Sequence, residues 1–220
     1  MVVSAQENQH EALERLCETY WYPLYAFVRR GGHTAHDAQD LTQAFFERLL
    51  EKEWLDGVQP ELGKFRTFLM MAMKRFLVNE WKSAQCLKRG GRAHAVPLEW
   101  TEAEERYTLE PASIDDQSAV FDRRWALTLL DQALVRLEKE QPTSEAFAVL
   151  KPALTAGHGG FDCASAAIKL GQNEGTVRVA VHRLRKRYRE IFREEIAHTV
   201  AEPTEVDDEI RYLVEVLARG

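Results

Sequence analysis

The chain is poor in the residues that brace small folds covalently or through metals. Its 220 residues include three cysteines, Cys17, Cys86 and Cys163, far apart and without a CxxC pair. That spacing argues against a disulfide framework or a zinc finger and leaves each as a small buried or surface thiol. No apolar run approaches the roughly 20 residues a helix needs to cross a bilayer. The opening MVVSAQENQHE has no basic start leading into an apolar core, so a cytoplasmic setting is expected. Catalytic signatures are missing as well: there is no HExxH, no DxDxDG loop, no GxSxG and no P-loop. His33, His36, Asp37 and Asp40 come nearest to a metal set, but His and Asp at a helix start read as a solvated cap. The expectation is a protein that is not an enzyme and uses no cofactor or metal.

Net negative charge, −6 overall, at first opposes binding to a polyanion. Its distribution reverses that impression. Residues 61–95 carry eight Lys and Arg against two Asp and Glu, and residues 163–193 again eight against two; the other stretches are acidic. Because the Debye length is only about 8 Å at physiological salt, a ligand feels the nearby patch more than the total. Two basic patches imply two contacts with one polyanion, or one with each of two.

The periodicity is helical throughout, with no convincing period-2 strand. Residues 7–30 place Leu13, Leu16, Cys17, Tyr20, Leu24, Phe27 and Val28 at helical spacing, with Pro23 expected to kink or restart the helix and Gly31 and Gly32 to end it. Thr34 then precedes Asp37 by three residues, close to a capping box. In the helix it opens, Ala38, Leu41, Phe45 and Leu49 share one face, while Asp37, Asp40, Gln43 and Glu47 share another. Residues 54–64 read as a loop. A third helix, about 65–82, turns Phe68, Leu69, Ala72, Met73 and Phe76 to a core and gathers Lys74, Val78, Trp81 and Lys82 elsewhere. Interleaved cations and an aromatic suit a single-stranded nucleic acid, which offers a phosphate and a stacking face at each nucleotide.

Residues 83–93 are expected to break that helix, and the acidic stretch 94–119, with Pro97 and Pro111, reads as a linker. A second domain begins near Val120 with an amphipathic helix bearing Trp125, Leu129, Leu130, Leu134 and Leu137. A shorter helix from Thr143 is interrupted at Pro152. Beyond GHGGF, residues 157–161, a short apolar helix (Ala164, Ala167, Ile168, Leu170) stops at Gly171 and another opens behind Asn173, a good N-cap. This is the helix-turn-helix pattern. On the second helix Val177, Val181, Leu184 and Tyr188 form a buried stripe, leaving Arg178, His182, Arg183, Arg185, Lys186, Arg187 and Arg189 as a cationic rod suited to phosphates. Residues 194–220 add an acidic hinge and a helix with Ile210, Leu213, Val214 and Leu217 on one face. Such a helix is expected to close over the second domain, occupy that domain's basic surface as a DNA mimic, or bind a regulator, with simple packing on its own domain as the plain alternative.

Four segments, YWYPLYAFVRR (20–30), DAQDLTQAFFERLL (37–50), KFRTFLMMAMKRFLVNEW (64–81) and LGQNEGTVRVAVHRLRKRYRE (170–190), together resemble the sigma-70 family of bacterial transcription initiation factors. The likeness is to the small extracytoplasmic-function (ECF) group, which keeps only regions 2 and 4. It covers most of residues 7–193. The resemblance implies an all-α protein: a region 2-like domain (1–93), a linker (94–119), a region 4-like helix-turn-helix domain (120–193) and a C-terminal extension (194–220). It implies binding to core RNA polymerase through its β′ and β subunits, with Asp37, Asp40 and Gln43 on the β′ clamp helices. It also implies melting of the downstream promoter element by residues 58–82, with Lys64, Arg66, Lys74, Arg75, Trp81 and Lys82 as DNA contacts. Glu174, Thr176, Arg178, His182 and Arg183 are then placed to read the upstream element in the major groove, with Arg185 and Lys186 on phosphate. Many family members are held by an anti-sigma protein. Val179 and Ala180 stand where the family commonly has polar or basic residues, which shifts the expectation from base readout toward phosphate contact. The competing reading is a helix-turn-helix regulator that never joins polymerase; it would need a ligand pocket or dimerisation helix in the first domain, where the chain instead has an acidic face followed by a basic aromatic helix.

Overall fold

A computed structural model describes residues 2–50, 64–86, 117–157 and 159–218, with side chains from residue 13 onward and, in the second segment, as far as Lys82. All regular elements among the described residues are helical. In chain order they are α1 (Val2–Arg30), α2 (Ala35–Leu50), α3 (Phe65–Cys86), α4 (Gln117–Lys139), α5 (Ser144–Leu150), a 3₁₀ turn (Lys151–Leu154), α6 (Cys163–Leu170), α7 (Glu174–Ala197), a second 3₁₀ turn (Pro203–Glu205) and α8 (Val206–Ala218). The expected loop at 54–64, apart from Lys64, and nearly all of the linker lie outside the described residues.

The chain divides into two compact units: residues 1–128 with 199–220, and residues 129–198. The division falls inside α4, not near Val120, because Phe121 and Trp125 are buried with the first unit's aromatic core. Tyr20 of α1 stacks on Trp125 at 6.3 Å between ring centroids and meets Phe65 edge-on at 5.7 Å. Phe45 of α2 meets Phe76 of α3 edge-on at 5.7 Å. Each geometry is one that aromatic quadrupoles favour.

Pro23 does not restart α1, which runs unbroken through it. The proline removes one backbone hydrogen bond, but Tyr20, Tyr22, Leu24, Tyr25, Ala26, Phe27 and Val28 are all buried around it, and packing of that extent outweighs the loss. Gly31 returns its amide to Phe27 and Val28, and Gly32, at φ 92°, ends the helix. Thr34 caps α2 as its sequence suggests: the Asp37 amide donates to Thr34 Oγ1 at 3.1 Å and the Thr34 hydroxyl donates to Asp37 Oδ2 at 2.8 Å. Helix α3 runs to Cys86, so residues 83–86 continue the helix instead of breaking it.

In the second unit Ala133 and Leu137 of α4, Phe147 and Leu150 of α5, Ala153, Ala166 and Ala167 of α6, and Val177, Val181, Leu184 and Ile191 of α7 form one core. Helix α6 is capped by Asp162, which accepts from the amides of Ala164 and Ser165, and stops at Gly171 in the left-handed region (φ 61°, ψ 32°), where glycine alone carries no Cβ penalty. Asn173 then caps α7 by accepting from the Thr176 amide at 2.8 Å. The stripe on α7 is buried as its spacing requires, with Tyr188 half-buried and its hydroxyl donating to the Leu130 carbonyl. On α6 the expected apolar face is rotated: Ala166 and Ala167 are buried, whereas Ala164 is exposed and Ile168 is 83% exposed. Two alanines seat this short helix close to α7, and the larger side chain is left outside.

Candidate polymerase and nucleic-acid interfaces

On α2 the core face takes Ala38, Thr42, Phe45, Phe46 and Leu49. The opposite side presents Asp37, Asp40, Gln43 and Glu47, brought together by the three- and four-residue spacing of a helix. Gln43 donates to Glu47 at 3.0 Å, and His36 Nδ1 lies 3.4 Å from Asp40 Oδ2. The result is an acidic, solvent-facing ridge on a rigid element.

The five cations and one aromatic expected to meet DNA, on α3 and just before it, separate into three groups. Arg75, Trp81 and Lys82 are exposed, Trp81 by 62%, and with Met71 and Val78 they make an apolar and basic outer surface. Lys74 is half-buried, its ammonium 3.3 Å from the Ser118 hydroxyl and 5.8 Å from the Phe27 ring centroid. Lys64 and Arg66, at the N-terminal end, are taken up by other parts of the same unit. Arg66 is buried; its Nε donates to Asp122 at 3.1 Å, its Nη1 donates to Glu209, and its guanidinium carbon lies 5.1 Å from the Trp125 ring centroid and 4.3 Å from that of Tyr212. Lys64 donates to the same Glu209 and stands 5.3 Å from the Tyr212 ring. In this arrangement Arg66 offers no surface to a ligand.

Asp122, Glu209 and Tyr212 are therefore residues that sequence reasoning passed over, and Trp125 is one it placed only on the apolar face of a second-domain helix. Tyr212 donates its hydroxyl to Asp122 at 2.5 Å, and burial together with that carboxylate pushes its pKa up to about 12. One signal was present. Val206, Glu209 and Leu213, the buried residues of α8, fall at i, i+3 and i+7, so Glu209 interrupts an apolar stripe. A carboxylate in that position calls for a buried cation. Of the four residues expected on one face of α8, Leu213 is buried, Ile210 and Leu217 are half-buried and Val214 is 61% exposed.

In the second unit the cations of α7 also divide. His182 and Arg183 are exposed, and with Asn173, Gly175, Thr176, Val179 and Ala180 the arginine lines a shallow open depression at the start of the helix. Arg178 is exposed and bonded to Glu174, with Nη2 to Oε1 at 2.6 Å. Such a surface pair is worth little and exchanges readily. Thr176 gives both its amide and its hydroxyl to the Asn173 cap, so its side chain is already engaged. Lys186 is exposed and 3.8 Å from Glu190. Arg185 instead turns inward and donates to the carbonyls of Ala153 and Ala156 at 2.9 and 2.8 Å, closing the end of the 3₁₀ turn. Arg187 forks onto both oxygens of Glu140 at 2.7 and 2.8 Å, and this hydrogen bonding holds the Glu140 carboxyl below its usual range. Arg136, Glu194 and Glu195 extend that network.

The comparison that bears on this geometry is with known protein families. Residues 16–86 match sigma-70 region 2. That span runs from within α1 to the last residue of α3 and carries both the acidic ridge of α2 and the basic outer surface of α3. The match is a likeness of 71 of the 220 residues to region 2 of the sigma-70 transcription initiation factors, which are non-enzymatic. In that family region 2 goes with binding to core RNA polymerase and promoter DNA. No curated protein and no solved structure matches the chain. Among the described residues no helix is long and apolar enough to cross a membrane.

Proposed function

We propose that the chain is a two-domain sigma factor of the ECF type, which joins core RNA polymerase and directs it to a specific set of promoters. The observation that carries this reading is the region 2 match over residues 16–86, in a chain whose remaining helices include the capped pair α6 and α7. In this reading α6, Gly171 and α7 are the helix-turn-helix of a region 4-like domain. Its Arg178, His182, Arg183 and Lys186 contact the upstream element, mostly through phosphate. Glu174 and Val179 stand beside them at the start of the helix. The α2 ridge of Asp37, Asp40 and Gln43 docks on the β′ clamp helices. Arg75, Trp81 and Lys82 face the displaced strand, where a stacking contact of about 1 to 3 kcal/mol offsets the few kcal/mol needed to unstack a base.

The test is co-elution of the purified chain with core RNA polymerase at moderate salt without DNA. Binding that is lost in the double charge reversal Asp37→Lys, Asp40→Lys, with melting temperature unchanged, is the expected result. A chain that binds double-stranded DNA but never core enzyme is instead a regulator that does not join polymerase.

A further inference from the structure

Helix α8 places two groups over the N-terminal end of α3 that together resemble a nucleotide. Glu209 sets a carboxylate on Lys64 and Arg66, and Tyr212, three residues on and therefore on the same face, lays an aromatic ring 5.3 Å from the Lys64 ammonium and 4.3 Å from the Arg66 guanidinium. An ammonium beside a guanidinium is equally a site for a phosphodiester oxygen, and a ring over a cation occupies the place of a stacked base. Beside these contacts α8 is held by the buried Val206 and Leu213, the half-buried Ile210 and Leu217, and the Tyr212 hydrogen bond to Asp122. Its ionic contacts to Lys64 and Arg66 are of a kind that another anion can replace. Lys64 is 38% exposed, which gives an incoming phosphate an edge from which to start. We propose that α8 is an intramolecular competitor of single-stranded DNA: Glu209 and Tyr212 occupy Lys64 and Arg66 until a phosphate and base displace them. The inference rests on the sigma-factor reading, and it assigns residues 206–218 a regulatory role at the strand-binding surface of the first unit. When α8 leaves, Arg66 keeps Asp122 as a partner and releases Nη1, while Lys64 is released entirely.

The experiment measures binding of the full chain to a short fluorescent single-stranded oligonucleotide across a salt series. Glu209→Gln keeps the side-chain shape and removes the charge. It is expected to tighten binding about five- to tenfold, within the usual range of coupling between sites, and to steepen the log-log salt slope by about 0.7 for each cation released. Adding Lys64→Ala to Glu209→Gln removes that gain, and Val214→Asn, on the exposed side of α8, leaves affinity and slope at parental values. Equal affinity and slope for the parent and Glu209→Gln overturn the proposal, as does no oligonucleotide binding by any of the proteins; either leaves the sigma-factor reading to be decided by co-elution with core RNA polymerase. Hydrogen exchange on the unmutated chain serves as an independent readout should Glu209→Gln unfold. The oligonucleotide is expected to accelerate exchange over residues 206–218, and unchanged or increased protection there contradicts the proposal.

Discussion

Arg183 and Arg185 are two residues apart on α7 and identical in chemistry, yet their surroundings give them different work. Arg183 is exposed beside the open depression, whereas Arg185 is half-buried and satisfies two carbonyls at the end of the 3₁₀ turn. Arg183→Ala should weaken binding to an upstream promoter duplex and reduce its log-log salt slope by about 0.9 without moving the melting temperature. Arg185→Ala should destabilise the second unit by about 1 kcal/mol, the cost of leaving two part-buried carbonyls without this donor. Thermal melts and salt titrations on the two variants separate the roles, and an unchanged melting temperature for Arg185→Ala counts against the second. Local sequence could not have told them apart. Both sit in one basic run, and only the position of Ala153 and Ala156, some thirty residues back along the chain, turns Arg185 inward.

At the scale of elements, what was legible followed from period and caps. The α2 acidic ridge and the α7 stripe are local patterns of helical spacing, and Thr34 and Asn173 cap their helices through side chains within three residues. What was not legible depends on distant partners. The resemblance of its segment to region 2 assigns Arg66 to DNA, but its burial is decided by Asp122, Trp125, Glu209 and Tyr212. Ile168 read as part of the apolar face because it is apolar, but α6 turns Ala166 and Ala167 inward and leaves Ile168 on its outer side. The α4 to α7 packing offers its own test through the Arg187 fork on Glu140. The Glu140 carboxyl is held below its usual value of 4.5 in the folded chain, so it takes up its proton at a lower pH folded than unfolded. Its contribution to stability is complete above about pH 4.5 and is lost as pH falls below that value. Glu140→Gln should therefore destabilise the second unit near neutrality and narrow its difference from the parent as pH falls below about 4.5. A constant difference from pH 7 to pH 3, followed by denaturant unfolding, contradicts this assignment.

For the whole molecule, opposite charges are sorted along the chain and then partly recombined by folding. The acidic C-terminal segment belongs to the first unit, where α8 meets the cations at the start of α3, while Trp81 and Lys82 near its other end remain exposed. A net charge of −6 thus coexists with local basic surfaces on both units. In the function proposed, the acidic ridge serves polymerase, the basic aromatic surface a separated strand and the capped helix α7 duplex DNA. The most direct test is reconstituted transcription from host genomic DNA by core RNA polymerase, with and without the chain, mapping the 5′ ends of the transcripts. The account predicts discrete start sites that appear only when the chain is added and vanish with the Asp37→Lys, Asp40→Lys variant. Transcripts identical to those of core enzyme alone would contradict it.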